Sequence, residues 1–387
     1  MDQLSNLKIV LWNSNGLSQH ILELTHFLNR NSIDILLVSE THFTQKSFFN
    51  IPNYSVFFTN HPDNTGHGGT AVVIKKHIKC TEILEFRKDY IQATSILIED
   101  IYGPLVLSAA YCPPKHNNTR IEYTEYLKSL GHRLIAGGDF NSKNTIWGSR
   151  LTLPKGKHLL EAIRDYKSKF ISTGEPTYWP TNVKKKPDLI DFLITKNIKH
   201  ENLKIESCFD LSSDHSPIIL TYNTNVILET QNKYIYNNKT DWNCFREILE
   251  MRLDTNISLK TEEEVDTSIA YLNNSLIAAA ENSTLLLNQR INNFSIPTHI
   301  KEKIKFKRKL RKQWQSTRSP QDKTVLNKIT KEVKELLKKD REDKLERYLK
   351  NLDSTHTSNY SLYKATKRIN KCIVHNPPLQ KPDLTWA

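Results

Sequence analysis

Short apolar runs punctuate the first part of the chain: Lys8–Trp12, Ile33–Val38, Thr70–Ile74, Leu105–Ala109, Leu134–Ala136, Leu189–Ile194 and Ile218–Thr221. Their length and β-branched content predict buried strands. Between them, Ser18–Asn29 places Ile21, Leu24, Phe27 and Leu28 on one helical face, and Leu159–Tyr166 looks similar. Many strands with few intervening helices predict two packed sheets flanked by helices. Beyond about residue 223 the strand signal fades. Asp241–Leu253 and Glu262–Leu287 read as helices, the first opened by a Thr240/Asp241 cap. Thr298–Gln315 reads as a very basic helix, Ser319-Pro320 as a break, and Asp322–Leu352 as a third helical pattern through Val325, Ile329, Val333 and Leu336. The expected organisation is an α/β domain over 1–222, a helical linker over 223–297 and a basic helical connector over 298–387. The closing PPLQKPDLTWA has no stop signal of its own and reads as a chain cut within a larger design.

Charge sharpens this division. Net charge is +13, with 30 Lys/Arg against 20 Asp/Glu in 223–387 and 25 against 22 in 1–222. A surplus of +10 in the extension favours a polyanionic partner, because each neutralised phosphate releases counterions. The five cysteines include no C-x-x-C pair, which supports neither a disulfide framework nor a zinc site and suits a reducing compartment. The N-terminus lacks the basic and apolar regions of a signal peptide, and no run of about 18 apolar residues predicts a membrane span. A soluble intracellular protein with no membrane partner is expected.

The chemistry lies in where the acids fall. Glu40 ends IDILLVSE, Asp139 and Asn141 follow LIAGG, Asp191 sits within DLIDFLI, and Asp214-His215 precede SPIIL. Carboxylates at successive strand ends converge on one rim of a sheet, where α/β proteins build sites. A hard cation such as Mg²⁺ takes oxygen ligands and keeps several waters, so one or two carboxylates hold it. Each residue alone has a plainer reading: a solvated turn glutamate, an ordinary Gly-Asp turn, a surface Asp-His pair. Asp191 is the exception, since a carboxylate in an apolar strand is costly unless paired. Its natural partner is His215, held in the tautomer a general base needs.

Taken together, WNSNG (12–16), SETHF (39–43), AYCPP (110–114), GGDFN (137–141), PTYWPT (176–181), PDLIDFLI (187–194) and SSDHSPI (212–218) resemble the endonuclease/exonuclease/phosphatase superfamily. Within it they look most like the endonuclease domain of jockey-type LINE retrotransposon polyproteins. The resemblance implies a four-layer α/β sandwich, two mixed β-sheets flanked by helices, followed here by an α-helical basic extension. By motif, Glu40 would be the principal metal ligand, with Asn13 and Asp214 completing the metal and phosphate environment. Tyr111 would donate to the scissile phosphate, Asp139 and Asn141 would position the nucleophile, and Asp191 would orient His215. The cofactor implied is Mg²⁺, with Mn²⁺ as the alternative.

The substrate implied is DNA, nicked to leave a 3′ hydroxyl that primes copying of the element's RNA in the nucleus. Thr177, with Tyr178 and Trp179, could furnish a groove-facing loop, and Lys184, Lys185 and Lys186 a basic loop straddling the duplex. Tyr178 and Trp179 read equally as core, and the three lysines as a solvated turn. The segment 301–315 reads as a helix lying on nucleic acid, element RNA included, as a nuclear-import signal, or as a solvated face. The chain holds no Asp-Asp dipeptide, so no polymerase metal site of that kind and no reverse transcription are expected of it. Two other readings remain: a catalytically silent nucleic-acid-binding remnant, and a phosphatase of the same superfamily.

Overall fold

The computed structural model describes residues 3–83, 86–228, 236, 240–253, 259–284 and 296–350. In chain order its elements are β1 (Gln3–Asn13), α1 (Ile21–Arg30), β2 (Ile35–Ser39), β3 (Tyr54–Thr59), β4 (Thr70–Lys75), β5 (Cys80–Glu82), β6 (Phe86–Arg87), β7 (Gln92–Asp100) and β8 (Gly103–Tyr111). There follow α2 (Arg120–Ser129), β9 (Leu134–Asp139), α3 (Pro154–Asp165), β10 (Lys169–Ile171), β11 (Asp191–Lys196), β12 (Leu203–Ser207) and β13 (Ile218–Ile227). The last four are α4 (Trp242–Arg252), α5 (Glu262–Ser283), α6 (Thr298–Thr317) and α7 (Pro320–Lys350). The expected helical continuations to Leu287 and Leu352, and the closing PPLQKPDLTWA, lie outside the described residues. Among those described, residues within 1–229 and from 295 onward form one compact unit, and residues within 230–294 another.

In the larger unit the strands follow the order β10-β11-β9-β8-β7-β13-β1-β2-β4-β3. Only Asp100↔Val226 joins β7 to β13, so the ladder is two sheets hinged at one pair. Each sheet mixes parallel and antiparallel neighbours: β1 with β2 and β8 with β9 are parallel, while β13 and β11 run against β1 and β9.

Period-two alternation then builds the layers. Ile9, Leu11, Ile35, Leu37, Val72 and Ile74 of one sheet meet Ile96, Ile98, Leu105, Leu107, Ile135 and Leu193 of the other in a central core. The alternate residues Val10, Trp12, Leu36, Val38, Ala71 and Val73 pack under Leu24, Phe27 and Leu28 of α1. On the far side, Ala136, Phe192 and Ile194 pack under Tyr123 and Leu127 of α2 and Leu159 and Ile163 of α3. The result is the four-layer α/β sandwich, and it explains why the strands read as unbroken apolar runs: both faces are covered. Gly138 sets the fit of β9 against β8, because a Cβ there would stand 1.9 Å from the Ala110 carbonyl oxygen.

The unit holding 230–294 contains α4, capped by the Asp241 carboxylate on Asn243 and Cys244 N–H, and α5, capped by Thr261. No helix of the described residues is long and apolar enough to cross a membrane.

Candidate active site

Strand direction and register bring the acids together. The parallel pairs end at the same rim, and the antiparallel β11 and β13 begin there. Tyr111 and Asp191 both stand opposite Asp139 in the register, and Asn13 stands opposite Ser39, the residue before Glu40. Ser39 ties the two sheets beneath the site: its hydroxyl donates to the Ala110 carbonyl at 2.8 Å and accepts from Asp139 N–H at 3.2 Å. Glu40 and Asn141 follow their strands with left-handed backbone, φ +54° and +44°. For glutamate that conformation costs on the order of 1 kcal/mol, which the packed rim imposes.

Asn13 bridges the sheets. Its amide donates to Glu40 Oε1 at 2.8 Å and to Asp139 Oδ2 at 2.9 Å, and its Oδ1 accepts from Asn15 N–H at 3.0 Å, which fixes the orientation of the amide. His215 Nδ1 donates to Asp191 Oδ2 at 2.8 Å, leaving Nε2 facing Asp139 Oδ2 at 3.9 Å. Asp191 Oδ2 also accepts the Thr177 hydroxyl at 2.6 Å, and the Tyr178 ring lies 4.9 Å from the imidazole. Asp188, the other acid of that segment, is buried apart with Lys143 at 2.8 Å and with Arg150.

The electrostatics follow from crowding. Burial, then the Asp191 and Glu40 charges, push the Asp139 carboxyl up to about 8. Burial alone would lower the His215 imidazole, but Asp191, with Asp139 and Asp214 behind it, holds it well above the usual histidine range. Glu40 is lowered although burial opposes this, because His42 and Asn13 hydrogen-bond to its carboxylate. Burial and the charges of Glu40 and Asp139 raise the Tyr111 phenol far beyond its ordinary range, so it stays a neutral donor.

The donor set fits a hard divalent cation: carboxylate oxygens converge with no thiol among them, and a dication among Glu40, Asp139 and Asp191 would relieve the repulsion that raises Asp139. Asp139, Asp191 and His215 themselves cluster at ligand spacing. Asp191 Oδ2 is already engaged by Thr177 and His215, and Asn13 turns its N–H groups rather than its oxygen to the acids, so Glu40 with Asp139, positioned by Asn13, is the better cradle.

Asn13, Glu40, Tyr111, Asp139, Asn141, Asp191 and His215 thus meet at one rim, and one expected placement is corrected. Thr177 does not face a groove; it is 2% exposed and donates to Asp191, because Ile190 and Asp191 N–H groups share its hydroxyl oxygen. Lys184, Lys185 and Lys186 are exposed. Asp214 stands beside the cluster, accepting from Asn15 Nδ2 and from the Ser213 hydroxyl, each at 3.3 Å.

Sequence reading missed Ser39, Asn15 and Ser213, although all three lie inside the family-like motifs; Ser213 receives His215 N–H at 3.1 Å while donating to Asn13 O at 2.8 Å. It also missed α6. None of the three readings of 301–315 placed basic residues inside the protein, yet Lys307 and Arg311 are buried. Lys307 pairs with Glu23 and donates to Ser212 at 2.9 Å. Arg311 donates to the Leu211 carbonyl and, at 2.9 Å each, to those of Ser213 and His215. The signal was there as Ile300, Ile304, Lys307, Arg311 and Trp314 on one helical face.

Residues 10–215 match the sequence model of a family described as the Endonuclease/Exonuclease/phosphatase family. The RNA-directed DNA polymerase from mobile element jockey of Drosophila funebris is 26% identical over 98% of this chain and 42% of its own length; that of Drosophila melanogaster is 27% identical with the same coverage. The chain thus spans about two fifths of the length of these curated relatives. Among solved structures, the endonuclease domain of TRAS1, a telomere-specific non-LTR retrotransposon, is 20% identical, with TM-score 0.47 over 56% of this chain and 98% of that one.

Proposed function

The chain belongs to the endonuclease/exonuclease/phosphatase family, and we propose that it is a divalent-metal-dependent endonuclease that nicks DNA and leaves a 3′ hydroxyl. The observation that carries this is the meeting of Asn13, Glu40 and Asp139 with an Asp191–His215 pair at one rim. Mg²⁺, or Mn²⁺, held by Glu40 and Asp139, which Asn13 positions, and flanked by Asp214 would supply charge against the phosphate's non-bridging oxygens and the leaving oxygen.

The chain's own residues do the rest. His215 Nε2, the ring nitrogen Asp191 leaves open, takes a proton from the attacking water once a dication beside the carboxylates that keep the imidazole protonated offsets their pull. Asp139, facing that nitrogen, and Asn141 hold the water in line with the phosphorus. Tyr111 donates to a phosphoryl oxygen as charge builds there. The bond from phosphorus to the 3′ oxygen breaks with its electron pair on that oxygen, which takes a proton from solvent, giving a 5′ phosphate and a 3′ hydroxyl. The exposed lysines 184–186 grip the duplex backbone, and the substrate places this activity in the nucleus. A role before copying of an element's RNA agrees with the jockey relatives. The exposed Lys301, Lys305, Lys309 and Lys312 leave α6 a solvent-facing basic stripe for RNA.

Nicking of supercoiled plasmid with added Mg²⁺ tests the proposal. His215→Ala and Asp191→Asn should each slow it by about 10²–10⁴-fold, the usual worth of a general base, while DNA binding persists. Ligase should reseal the wild-type nick. Undiminished nicking by His215→Ala, or ends that ligase cannot join, would refute it.

A further inference from the structure

Helices α6 and α7 follow the family-matched stretch and fold back beside the rim that carries the site. Between them and the domain runs a groove of about 290 Å³, lined among others by Asn15, Asp214, Arg311, Lys323, Thr330 and Lys334. Asn15 and Asp214 are joined side chain to side chain at 3.3 Å, and Asn15 N–H binds the Asn13 amide, so the groove opens onto the site. On α7, Lys323, Asn327, Thr330 and Lys334 all line it, at spacings of four, three and four residues that keep them on one face.

The groove is cationic and incompletely satisfied. Lysines elsewhere on α7 pair with acids of their own helix, Lys331 with Glu335 and Lys338 with Glu342. Among the described residues no ion pair engages Lys323, Lys334 or Arg311; Lys323 instead lies 3.9 Å over the Trp314 ring. Two wall residues are 4% exposed and carry a buried nitrogen without a hydrogen-bond partner, His20 at Nδ1 and Arg311 at Nε. Burial, then the charge of Lys334, holds the His20 imidazole down at about 4, a sign of the local positive potential. Asp214 is the one acid on the wall.

We propose that this groove is a phosphate subsite, holding on Lys323 and Lys334, about three helical turns apart, separate backbone phosphates of the DNA strand that flanks the scissile phosphodiester. The assignment rests on the reading of the site as a DNA nuclease. Asn327 and Thr330 add neutral donors between the two lysines. A strand leaving the site past Asn15 and Asp214 enters the groove directly, whereas the wall offers no aromatic platform for a base beyond Trp314, which Lys323 covers.

The test is the salt dependence of binding to a short DNA duplex without divalent metal, together with nicking kinetics. Each lost phosphate contact lowers the log–log salt slope by about 0.9. Lys323→Gln with Lys334→Gln should flatten it by about 1–2, weaken binding about tenfold, and raise KM with kcat nearly constant. Lys331→Gln with Lys338→Gln has the same net charge and should change neither. Thr330→Glu, which brings an anion into the groove, should weaken binding at least as far, and thermal melts establish that all variants fold.

Equal slopes for the two lysine pairs would overturn the subsite. So would loss of inorganic phosphate binding alone with duplex binding intact, or loss confined to duplex RNA. A wild type that binds but never nicks would instead refute the nuclease reading, leaving the salt slopes to judge the groove.

Discussion

Two buried histidines on this domain shift in opposite directions, and their neighbours decide the sign. His215 faces carboxylates and holds its proton; His20 faces Lys334 and Lys307 and sheds it, with burial the larger cause. At His20 the folded protein stays neutral down to about 4, while the unfolded chain takes up a proton near the ordinary value of 6.5. The unfolded state therefore binds more protons between those values, so this stabilisation is whole above about 6.5 and is lost as pH falls toward 4. The full swing is about 3 kcal/mol. Urea unfolding of wild type and His20→Asn from pH 7 to 4 should show a shallower decline in the variant. Parallel declines would mean that His20 is not what titrates.

At the scale of elements, α6 is the piece whose removal reaches furthest, because its arginine binds the carbonyls of the loop that carries His215. Arg311→Met should keep most of the packing while deleting three charge-assisted hydrogen bonds. A net loss of about 1.5–3 kcal/mol for hydrogen bonding to a charged group is expected, with slower nicking and unchanged metal affinity. Stability and rate both at wild-type values would show that the loop stands unaided.

The central strands were legible because they are covered on both faces and so read as apolar runs. β7 was not: its buried Thr94 binds Thr70 and Thr59, and its buried Ser95 binds Ser108, so the strand hides its polar residues in a hydroxyl network. α2 escaped too, although Thr119 and Glu122 form a complete capping box ahead of it. The short β5, β6 and β10 are half exposed and carry no clean alternation, and β12 alternates over only five residues, Leu203–Ser207. Within the site, the Asp191–His215 pairing followed from the cost of a lone buried carboxylate. The inward lysine and arginine of α6 did not, since their partners lie 284 and about 100 residues away in sequence.

For the whole molecule, the clustered carboxylates make metal binding a stability term. Mg²⁺ at about 100 times its dissociation constant should add about 2.7 kcal/mol to unfolding. A thermal melt reads this without any substrate, and Glu40→Gln should abolish most of the gain; a variant that gained as much as wild type would move the metal elsewhere.

Distance along the chain has a further consequence for the arginine clasp. Arg311 reaches a carbonyl 96 residues behind it, so a ribosome that has just finished the family-matched stretch has made a domain whose His215 loop is still unfastened. The proposed activity should therefore mature only after α6, about a hundred residues beyond that loop, has left the exit tunnel and closed the clasp.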